Sequence, residues 1–250
     1  MSSVKQHVSE QEWKARVDLA AAYRMVAHYG WDDLVFTHIS ARVPGPEHHF
    51  LINPYGMMFD EVTASSLVKV DLQGNKVMES EYDINPAGFV IHSAVHEARE
   101  DAQCVMHLHT TAGIAVSTQK EGLLPLSQQS LFALSSISYH EYEGVALNPD
   151  EKKRLVADLD TTSFMILRNH GLLTCAESIA DAFLGMFLLQ RSCEIQLQAQ
   201  ASGQELNPIP EHILAGIRAQ AKQVTRSAGG ALAWPGILRK LDRTNPGYDE

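Results

Sequence analysis

The sequence predicts an α/β fold in which one mixed, largely antiparallel sheet is flanked by helices. Strand and helix patterns interleave along the 250 residues, and short, hairpin-like turns join the first strands. No internal repeat or long Gly/Ser/Pro linker divides the chain, and its length suits one large domain at about 100–200 residues per domain. We therefore predict a single domain over residues 1–250, with a core over about 10–225 and an irregular tail over 228–250.

The first half of the chain contains one long helix and three short strands. Ser9 can cap the helix, apolar side chains recur at helical spacing after it, and Gly30 ends it. Turn residues such as Pro54 and Gly56 separate the strands. The predicted strands are Leu34–Ser40, Phe50–Ile52 and Leu67–Val70.

The second half alternates helices with apolar strands. Pro235, Pro246 and Gly247 make the end of the chain irregular in this interpretation. The predicted elements are a helix from Pro86 to about Ala98, a strand Cys104–Leu108, a helix Thr111–Ser117, a weak strand Ser136–Tyr139, a helix beginning at Asn148–Asp150, a strand Ser163–Leu167, and helices Ile179–Ala201 and Pro210–Ser227.

Composition and charge exclude several classes of protein. A net charge of −10 and a pI near 5.6 disfavour general affinity for nucleic acid or an anionic membrane. The longest apolar run, Ala182–Leu189, is far shorter than the ~20 residues of a membrane span, and the start of the chain lacks a signal-peptide core. The three cysteines form no CxxC pair. We expect a cytoplasmic protein without membrane or nucleic-acid partners.

Twelve histidines are the unusual feature of the composition, and two of them end a buried strand. His107 and His109 follow the apolar run that begins at Cys104, and residues two apart in a strand point to the same face. Neutral imidazole is a good ligand for Zn²⁺, Mn²⁺ or Fe²⁺. A metal site is therefore one interpretation of this pair, and a structural pair is the other. No nucleotide-binding glycine motif is present.

A third histidine has a similar setting. His170 ends the apolar run from Phe164 and is followed by Gly171, where the chain can turn sharply. Strand ends are where α/β sheets place ligand chemistry. If the two strands are neighbours, three imidazoles converge, and three protein ligands with an open position are typical of catalytic zinc.

A rival pair lies on the helix that begins near Ala87. His92 and His96 are four residues apart and can ligate one ion together. A hydrogen-bonded core histidine is the favoured interpretation of His92, and we expect His96 to be exposed. His7, His28, His48 and His49 are interpreted as solvated.

Several motifs resemble the class II aldolase/adducin family, and its adducin-type branch in particular. The resemblance covers roughly residues 10–200. It rests on Thr37-His38-Ile39-Ser40-x-Arg42, Phe50-Leu51-Ile52-Asn53-Pro54-x-Gly56, Glu61 to Lys69, Asn85-x-Ala87-Gly88-Phe89, His92-Ser93-Ala94, the His107-x-His109 pair and Leu167-Arg168-Asn169-His170-Gly171.

The resemblance implies a single αβα domain and a homotetramer with sites between subunits. It also implies that His107, His109 and His170 hold one divalent metal ion per subunit, zinc in first place, with manganese, iron or cobalt as alternatives. Such an ion acts as a Lewis acid that stabilises an enediolate when a C–C bond breaks.

Departures from the family pattern bear on the substrate. Sugar-phosphate aldolases of this family carry a Glu where this chain has Gly88, and serines that hold phosphate where it has Pro86 and Ala87. Thr37-His38 replaces a phosphate-binding Gly-Asn pair. We expect a small, unphosphorylated, carboxylated substrate. Its predicted contacts are Thr37, Asn53, Gly56 and Gly88.

The missing Glu leaves the acid or base open. The catalytic candidates are Tyr142, His38 and His92, with Tyr248 as a weaker choice. Tyr142 aligns with a family tyrosine that protonates across the subunit interface, and a half-buried strand aromatic is its structural alternative. A substrate carboxylate can bind an arginine or lysine. The candidates for that contact are Arg42, Lys69 and Arg168, although each is often a surface or salt-bridge residue.

Three functions follow from these observations. The first is a metal-dependent lyase that cleaves or decarboxylates its substrate through a metal-stabilised enolate. The second is a non-catalytic adducin-like interaction module, although adducins depend on a basic tail segment that is not found here. The third is a non-haem iron oxygenase on the same three histidines.

Overall fold

The structure is a computed structural model that describes residues 4–144, 150–207, 209–217 and 229–250. No helix in these ranges is long and apolar enough to cross a membrane. The strands are β1 His38–Arg42, β2 Phe50–Ile52, β3 Val68–Val70, β4 Cys104–Leu108, β5 Ile137–His140, β6 Phe164–Leu167 and β7 Gly171–Ala176. The α-helices are α1 Glu10–His28, α2 Pro86–Ala98, α3 Thr111–Ser117, α4 Gln128–Leu134, α5 Glu151–Leu159, α6 Ile179–Ala201, α7 Glu211–Ala215 and α8 Gly229–Thr244, and 3-10 turns cover Val4–His7 and Phe59–Glu61.

The seven strands form one sheet in the order β3-β2-β1-β4-β7-β6-β5. Every neighbouring pair is antiparallel except β5 and β6, which are parallel. The predicted mixed, largely antiparallel sheet is therefore confirmed. His38 of β1 lies opposite His107 of β4, and Leu108 of β4 lies opposite Leu172 of β7. The strands that carry the candidate histidines are thus adjacent at the centre of the sheet.

Helices cover both faces of the sheet. Met106 and Leu108 of β4 join the larger core cluster with residues of α1 and α6. Val105 points the other way and packs with Ile91 of α2. Because side chains alternate along a strand, His107 projects to the same face as Val105. The metal-ligand candidates therefore lie on the α2 side of the sheet.

Two elements of the structure are not predicted by the sequence pattern. β7 follows β6 after a short turn and begins at Gly171. In the sequence pattern this glycine indicates a turn after the preceding strand, so the apolar residues that follow it are not predicted as a strand. α4 is capped by the side chain of Ser127. β1 begins at His38 rather than at Leu34, whose φ of 50° places it in a turn. The predicted helix start at Asn148 lies outside the described residues.

The predicted irregular tail over 228–250 is wrong, because residues Gly229–Thr244 form helix α8. Trp234 anchors it: the ring centroid lies 5.8 Å from that of Phe183, and the indole N–H donates to Asp18. Pro235 lies within the helix and does not end it. Of the predicted helix Pro210–Ser227 the structure describes only α7, and residues 218–228 lie outside the described part of the chain.

Candidate metal centre

Three imidazoles converge at one end of the central strands. The Nε2 atoms of His107 and His109 are 3.0 Å apart, those of His107 and His170 are 3.3 Å apart, and those of His109 and His170 are 2.9 Å apart. Among the residues that the structure describes, these three are the cluster of candidate ligands whose atoms all lie within 4.8 Å of one another. The predicted meeting of the three histidines is thus observed.

The turn between β6 and β7 brings His170 to this point. Asn169 has a φ of 57°, in the left-handed region that asparagine tolerates better than most residues. A side chain at Gly171 would place its Cβ 2.6 Å from the carbonyl oxygen of Leu108, so only glycine lets β7 approach β4 this closely. Backbone geometry therefore fixes the third imidazole beside the other two.

Hydrogen bonds on the far side of two rings fix their tautomers. The Nδ1–H of His107 donates to the carbonyl oxygen of Leu172 at 3.0 Å, and that of His109 donates to the carboxylate of Asp33 at 3.1 Å. In a neutral imidazole the other nitrogen then carries no hydrogen. Two Nε2 lone pairs therefore face each other at 3.0 Å without a proton between them, which is favourable only around a cation.

The geometry fits a divalent metal ion. With Zn–N bonds of about 2.0–2.1 Å, two nitrogens that share one ion lie about 2.9–3.4 Å apart, and the three measured separations fall in this range. Burial, with the neighbouring imidazoles, lowers the pKa of His107 well below its ordinary value and that of His170 to about 4. Both rings are thus neutral at pH 7, as ligands must be.

A cavity of about 400 Å³ opens beside the three Nε2 atoms. Apart from the histidines, aromatic, apolar and neutral residues line it. None of the described lining residues is a lysine or an arginine. They are Phe36, His38, Tyr55, Asn85, Gly88, Ile91, His107, His109, Tyr142, Gly144 and His170.

His38 occupies the space that a side chain at position 88 would need. A Cβ on Gly88 would lie 1.9 Å from Cδ2 and 2.3 Å from Nε2 of the His38 ring. The Nδ1–H of His38 donates to Oδ1 of Asn53 at 3.2 Å, so its Nε2 is the bare nitrogen. Burial lowers the pKa of His38 to about 4. An imidazole from β1 therefore fills the space beside Gly88, the position at which the family resemblance implies a Glu in sugar-phosphate aldolases.

Tyr142 is the other predicted catalytic residue that reaches the cavity. Its ring centroid lies 6.4 Å from that of His170, and 55% of the residue is exposed at the rim. Phe36 and Tyr55 are also on the rim, 50% and 44% exposed. No sequence pattern points to these two residues, because an aromatic residue in a turn belongs to no metal-binding or acid–base motif.

Several predicted residues lie behind the cavity wall or away from it. Asn53 is buried outside the cavity lining, where its side-chain oxygen is hydrogen-bonded to the lining residue His38 and to the core residue Tyr23. Thr37 is buried, and its hydroxyl has no hydrogen-bond partner among the described residues. Gly56 serves a turn with a φ of 97°. The hydroxyl of Tyr248 donates to Asp242 at 2.8 Å, outside the cavity lining.

The expected exposure of His96 is wrong, because it is only 2% exposed. Its ring is hydrogen-bonded to Ser40 and to the carbonyl oxygen of Ala102. His92 is fully buried, does not line the cavity and contacts the same Ser40 hydroxyl. The rival pair is therefore held by a serine, and the structure does not join it to the three-histidine cluster.

The three basic candidates for a substrate carboxylate are engaged elsewhere. Arg168 donates to the carbonyl oxygen of Gln119 and stacks on Tyr139. Lys69 forms an ion pair with Glu12 at 2.8 Å. The guanidinium of Arg42 donates to backbone carbonyls at the end of α2.

Comparison with known proteins identifies the family. The model of the class II aldolase and adducin N-terminal domain matches residues 17–197. The chain belongs to the class II aldolase and adducin family. The resemblance predicted from the motifs is thereby confirmed, and so is the single αβ domain with its seven-stranded mixed sheet.

Relatives of this class II aldolase-type chain include bacterial and animal proteins. A Pseudomonas aeruginosa protein whose name assigns it provisionally to the class 2 aldolases is 66% identical over 250 residues, which are 99% of this chain and 96% of that protein. Mouse alpha-adducin is 46% identical over 190 residues, which are 75% of this chain and 26% of the adducin. The chain thus matches only about a quarter of alpha-adducin.

Two solved structures of the family share the fold over the whole chain. An aldolase II superfamily protein from Pseudomonas syringae has a TM-score of 0.95 and 50% identity, and covers 100% of both chains. An L-fuculose 1-phosphate aldolase from Glaciozyma antarctica has a TM-score of 0.84 and 29% identity, and covers 100% of this chain and 96% of that one. The match extends over the described helix α8 as well as the sheet.

Proposed function

We propose that the protein is a divalent-metal-dependent lyase that acts on a small, unphosphorylated substrate by retro-aldol cleavage or decarboxylation. The observation that carries the proposal is the convergence of three Nε2 atoms at 2.9–3.3 Å beside an open cavity. Three protein ligands with room for a guest are the pattern of a catalytic rather than a structural metal site. The family membership supports a lyase.

His107, His109 and His170 would hold the ion, and zinc is the ion we propose. When bound, it supplies a Lewis acid that polarises a substrate carbonyl and stabilises the negative charge of an enolate. Asp33 and the carbonyl of Leu172 orient two of the ligand rings from behind. The chain's own contribution is thus a ligand set whose two strand histidines are oriented by hydrogen bonds from behind.

His38 is the proposed acid–base residue in place of the missing Glu. Its ring lines the cavity, and its bare Nε2 can accept a proton from a substrate hydroxyl or C–H and return it. Asn53 keeps the ring oriented by accepting the Nδ1 hydrogen. Tyr142, on the rim, is the second proton donor. His92 would act through His38, because it is buried behind it.

The lining of the cavity supports an unphosphorylated substrate. Phosphate sites in proteins are commonly built from arginine or lysine side chains, besides backbone N–H groups at helix N-termini such as the start of α2, where Asn85 and Gly88 line this cavity. None of the described lining residues is a lysine or an arginine, and Arg42, Lys69 and Arg168 are engaged elsewhere. A substrate carboxylate would therefore be held by the metal ion or by backbone N–H groups at the start of α2 rather than by a basic side chain.

Assembly and location complete the proposal. We propose a homo-oligomer, a tetramer in the pattern of the family, which works in the cytoplasm. The three cysteines are free, which agrees with a reducing compartment.

Metal analysis tests the proposal directly. The purified protein should contain about one divalent ion per chain, and His107→Ala and His170→Ala should reduce this content about tenfold or more, since each removes a ligand. His212→Ala, an exposed histidine on α7, is the matched control and should retain the metal. Release of CO₂ or an aldehyde from a panel of small keto and hydroxy acids should depend on the bound ion. A wild-type chain that never carries stoichiometric metal would overturn the proposal.

The similarity to alpha-adducin favours one competing function, a non-catalytic interaction module. Under that alternative, a variant with alanine in place of His107, His109 and His170 would fold and retain its partners without metal. Iron content with oxygen uptake would instead indicate the oxygenase.

A further inference from the structure

A polar contact surface lies between β1 and α2, directly behind the candidate metal centre. Side chains of β1 alternate between the sheet's two faces, and Ile39 and Ala41 belong to the apolar core on the opposite side. On α2, residues four apart lie one above another on the same face. We call this surface the seam; it consists of His38, Ser40 and Arg42 on β1, and Gly88, His92 and His96 on α2.

The middle of the seam is a chain of short hydrogen bonds. The Ser40 hydroxyl lies 2.6 Å from Nδ1 of His92 and 2.7 Å from Nε2 of His96. Nδ1 of His96 lies 3.0 Å from the carbonyl oxygen of Ala102. All three side chains are buried. Hydrogen bonds in the low-dielectric interior of a protein are strong, and a buried polar group without a partner lowers the stability of the fold.

The positions of the hydrogens follow from the last acceptor. A carbonyl oxygen only accepts, so Nδ1 of His96 carries the hydrogen and its Nε2 is bare in the neutral ring. Ser40 has one hydrogen, which therefore goes to His96. Its oxygen must then accept from Nδ1–H of His92. Burial keeps both rings neutral, since it lowers the pKa of His96 to about 3 and that of His92 well below its ordinary value.

This series of hydrogen bonds leaves Nε2 of His92 without a hydrogen, so the atom can only accept. The atom is buried and has no hydrogen-bond partner in the described part of the protein. The ring lies edge-to-face with that of His38, with the centroids 6.1 Å apart. Edge-to-face rings at such a separation are packed against each other, so the orientation of one constrains the other. The orientation of His92 thus bears directly on His38, the ring that forms the cavity wall.

We propose that Ser40 and His96 are positioning residues of the metal site, which hold His92 as the Nδ1–H tautomer and in the orientation in which its ring packs against that of His38. The residue that exchanges a proton with the ligand is His38, as the proposed function requires, and the claim about reaction rate rests on that function. The claim about tautomers stands on the hydrogen bonds alone.

Nitrogen-15 NMR tests the tautomers without any substrate. Long-range proton–nitrogen spectra of the zinc-loaded protein should show His92 and His96 with hydrogen on Nδ1. Ser40→Ala removes the acceptor and should leave His92 in a mixture of tautomers, while Ser40→Thr, which keeps the hydroxyl, should restore the Nδ1–H form. Ser93→Ala is the matched control, because Ser93 is a buried serine on α2 outside the seam. Hydrogen on Nε2 of His92 in the wild type would overturn the proposal.

A partial reaction tests the consequence. In D₂O, His38 would take a proton from a carbon of dihydroxyacetone and exchange it with solvent deuterium, while the C–H electron pair would stay on the ligand, where a cation held by the three histidines would stabilise its charge. We expect Ser40→Ala to slow this exchange about tenfold or more, with zinc content and dihydroxyacetone affinity unchanged, because misplaced catalytic groups lose rate rather than binding. Ser93→Ala should exchange at the wild-type rate.

The two proposals fail in different ways. If the wild type binds zinc and exchanges the proton but Ser40→Ala does so equally fast, the positioning role is wrong and the lyase stands. If the wild type neither retains zinc nor exchanges the proton, the lyase and the rate claim both fail, and the NMR spectra alone decide whether the hydrogen-bond chain is as derived. If Ser40→Ala does not fold, His96→Leu frees the serine hydroxyl to donate to Nδ1 of His92, which should move the His92 hydrogen to Nε2; an unchanged tautomer would overturn the proposal.

Discussion

At the scale of single residues, the site is defined by the histidine ring at position 38 and by the absence of a side chain at position 88. Gly88 has no side chain, and the His38 ring fills the space that one would occupy. The two departures from the sugar-phosphate aldolase pattern are therefore one structural change. A residue on the strand, His38, therefore forms the wall of the cavity beside α2, where the helix itself has no side chain.

The close contact between Gly88 and the His38 ring predicts that Gly88→Ala lowers the free energy of unfolding, although such a substitution usually raises it. Replacing glycine by alanine inside a helix normally stabilises it, by about 0.5–1 kcal/mol. At position 88 the new Cβ would overlap the His38 ring, so we expect a loss of about 1–3 kcal/mol in the free energy of unfolding, typical of overpacking. Urea unfolding of both proteins measures it. Gly236→Ala on α8, where the nearest atom is 3.7 Å away, is the control and should stabilise the protein. A Gly88→Ala variant as stable as the wild type would contradict this prediction.

The buried histidines also predict how the free energy of unfolding depends on pH. The pKa of His38 is about 4 and that of His96 about 3, both lowered mainly by burial. Below pH 6.5 the unfolded chain binds a proton at each site and the folded chain does not. The free energy of unfolding should therefore fall as the pH drops from 6.5 toward 4, by about 1.4 kcal/mol per pH unit for each such histidine.

Urea unfolding of the chelator-treated protein between about pH 7.5 and 5 checks this slope. His96→Leu removes one of the contributing groups and should make the dependence on pH shallower. His212→Ala, an exposed histidine, should leave it unchanged. An identical slope in the wild type and His96→Leu would contradict the assignment.

At the scale of elements, the sequence predicts best those segments whose apolar pattern is continuous. β4 and α6 have the predicted bounds, because an unbroken buried run and a long capped helix have few alternatives. β7 was not predicted, since Gly171 looks like the end of a strand when the close approach to Leu108 is not known. α8 was not predicted because Pro235 and two glycines lie in it, and tertiary packing outweighs their low helix propensity.

Helix α8 should owe its stability to one side chain. Trp234 is buried against Phe183 and donates its indole N–H to Asp18 at 2.9 Å. We expect Trp234→Ala to lower the free energy of unfolding by about 3–5 kcal/mol, as large-to-small substitutions of core aromatics do. Leu232→Ala, on the same helix but 78% exposed, should change it by less than about 0.5 kcal/mol. Circular dichroism during urea unfolding measures both. Equal effects of the two substitutions would show that α8 is not anchored through Trp234.

At the scale of the whole molecule, periodicity predicts the part of the site that lies on strands. His107 and His109 share a face because strand residues two apart must, and His170 joins them because both strand ends meet at one edge. The packing of β1 against α2 could not be predicted, because it joins residues about fifty positions apart. The burial of His96 escapes prediction for the same reason: a polar residue on a helix is buried only when another element supplies its partner, and here β1 supplies Ser40.

Also at this scale, Tyr142 can act either at the site of its own chain or at the site of a neighbouring subunit. The family resemblance implies a tyrosine that acts across a subunit interface, whereas the structure places Tyr142 on the rim of its own chain's cavity, 6.4 Å from His170 between ring centroids. We therefore predict that Tyr142 acts within its own chain. Co-expressed Tyr142→Phe and His170→Ala chains, purified as mixed oligomers through two different tags, should show no proton exchange beyond that of the separate variants.

A tyrosine acting across the interface gives the opposite result. Random mixing would then unite an intact histidine cluster with an intact neighbouring tyrosine in about a quarter of the sites, and exchange would recover to that extent. Sedimentation of the mixture must show one oligomeric species that carries both tags, since a monomer would exclude sharing by itself. Because the intact histidines and the intact tyrosine lie on different chains in this experiment, recovery of exchange can arise only from a site that two subunits share.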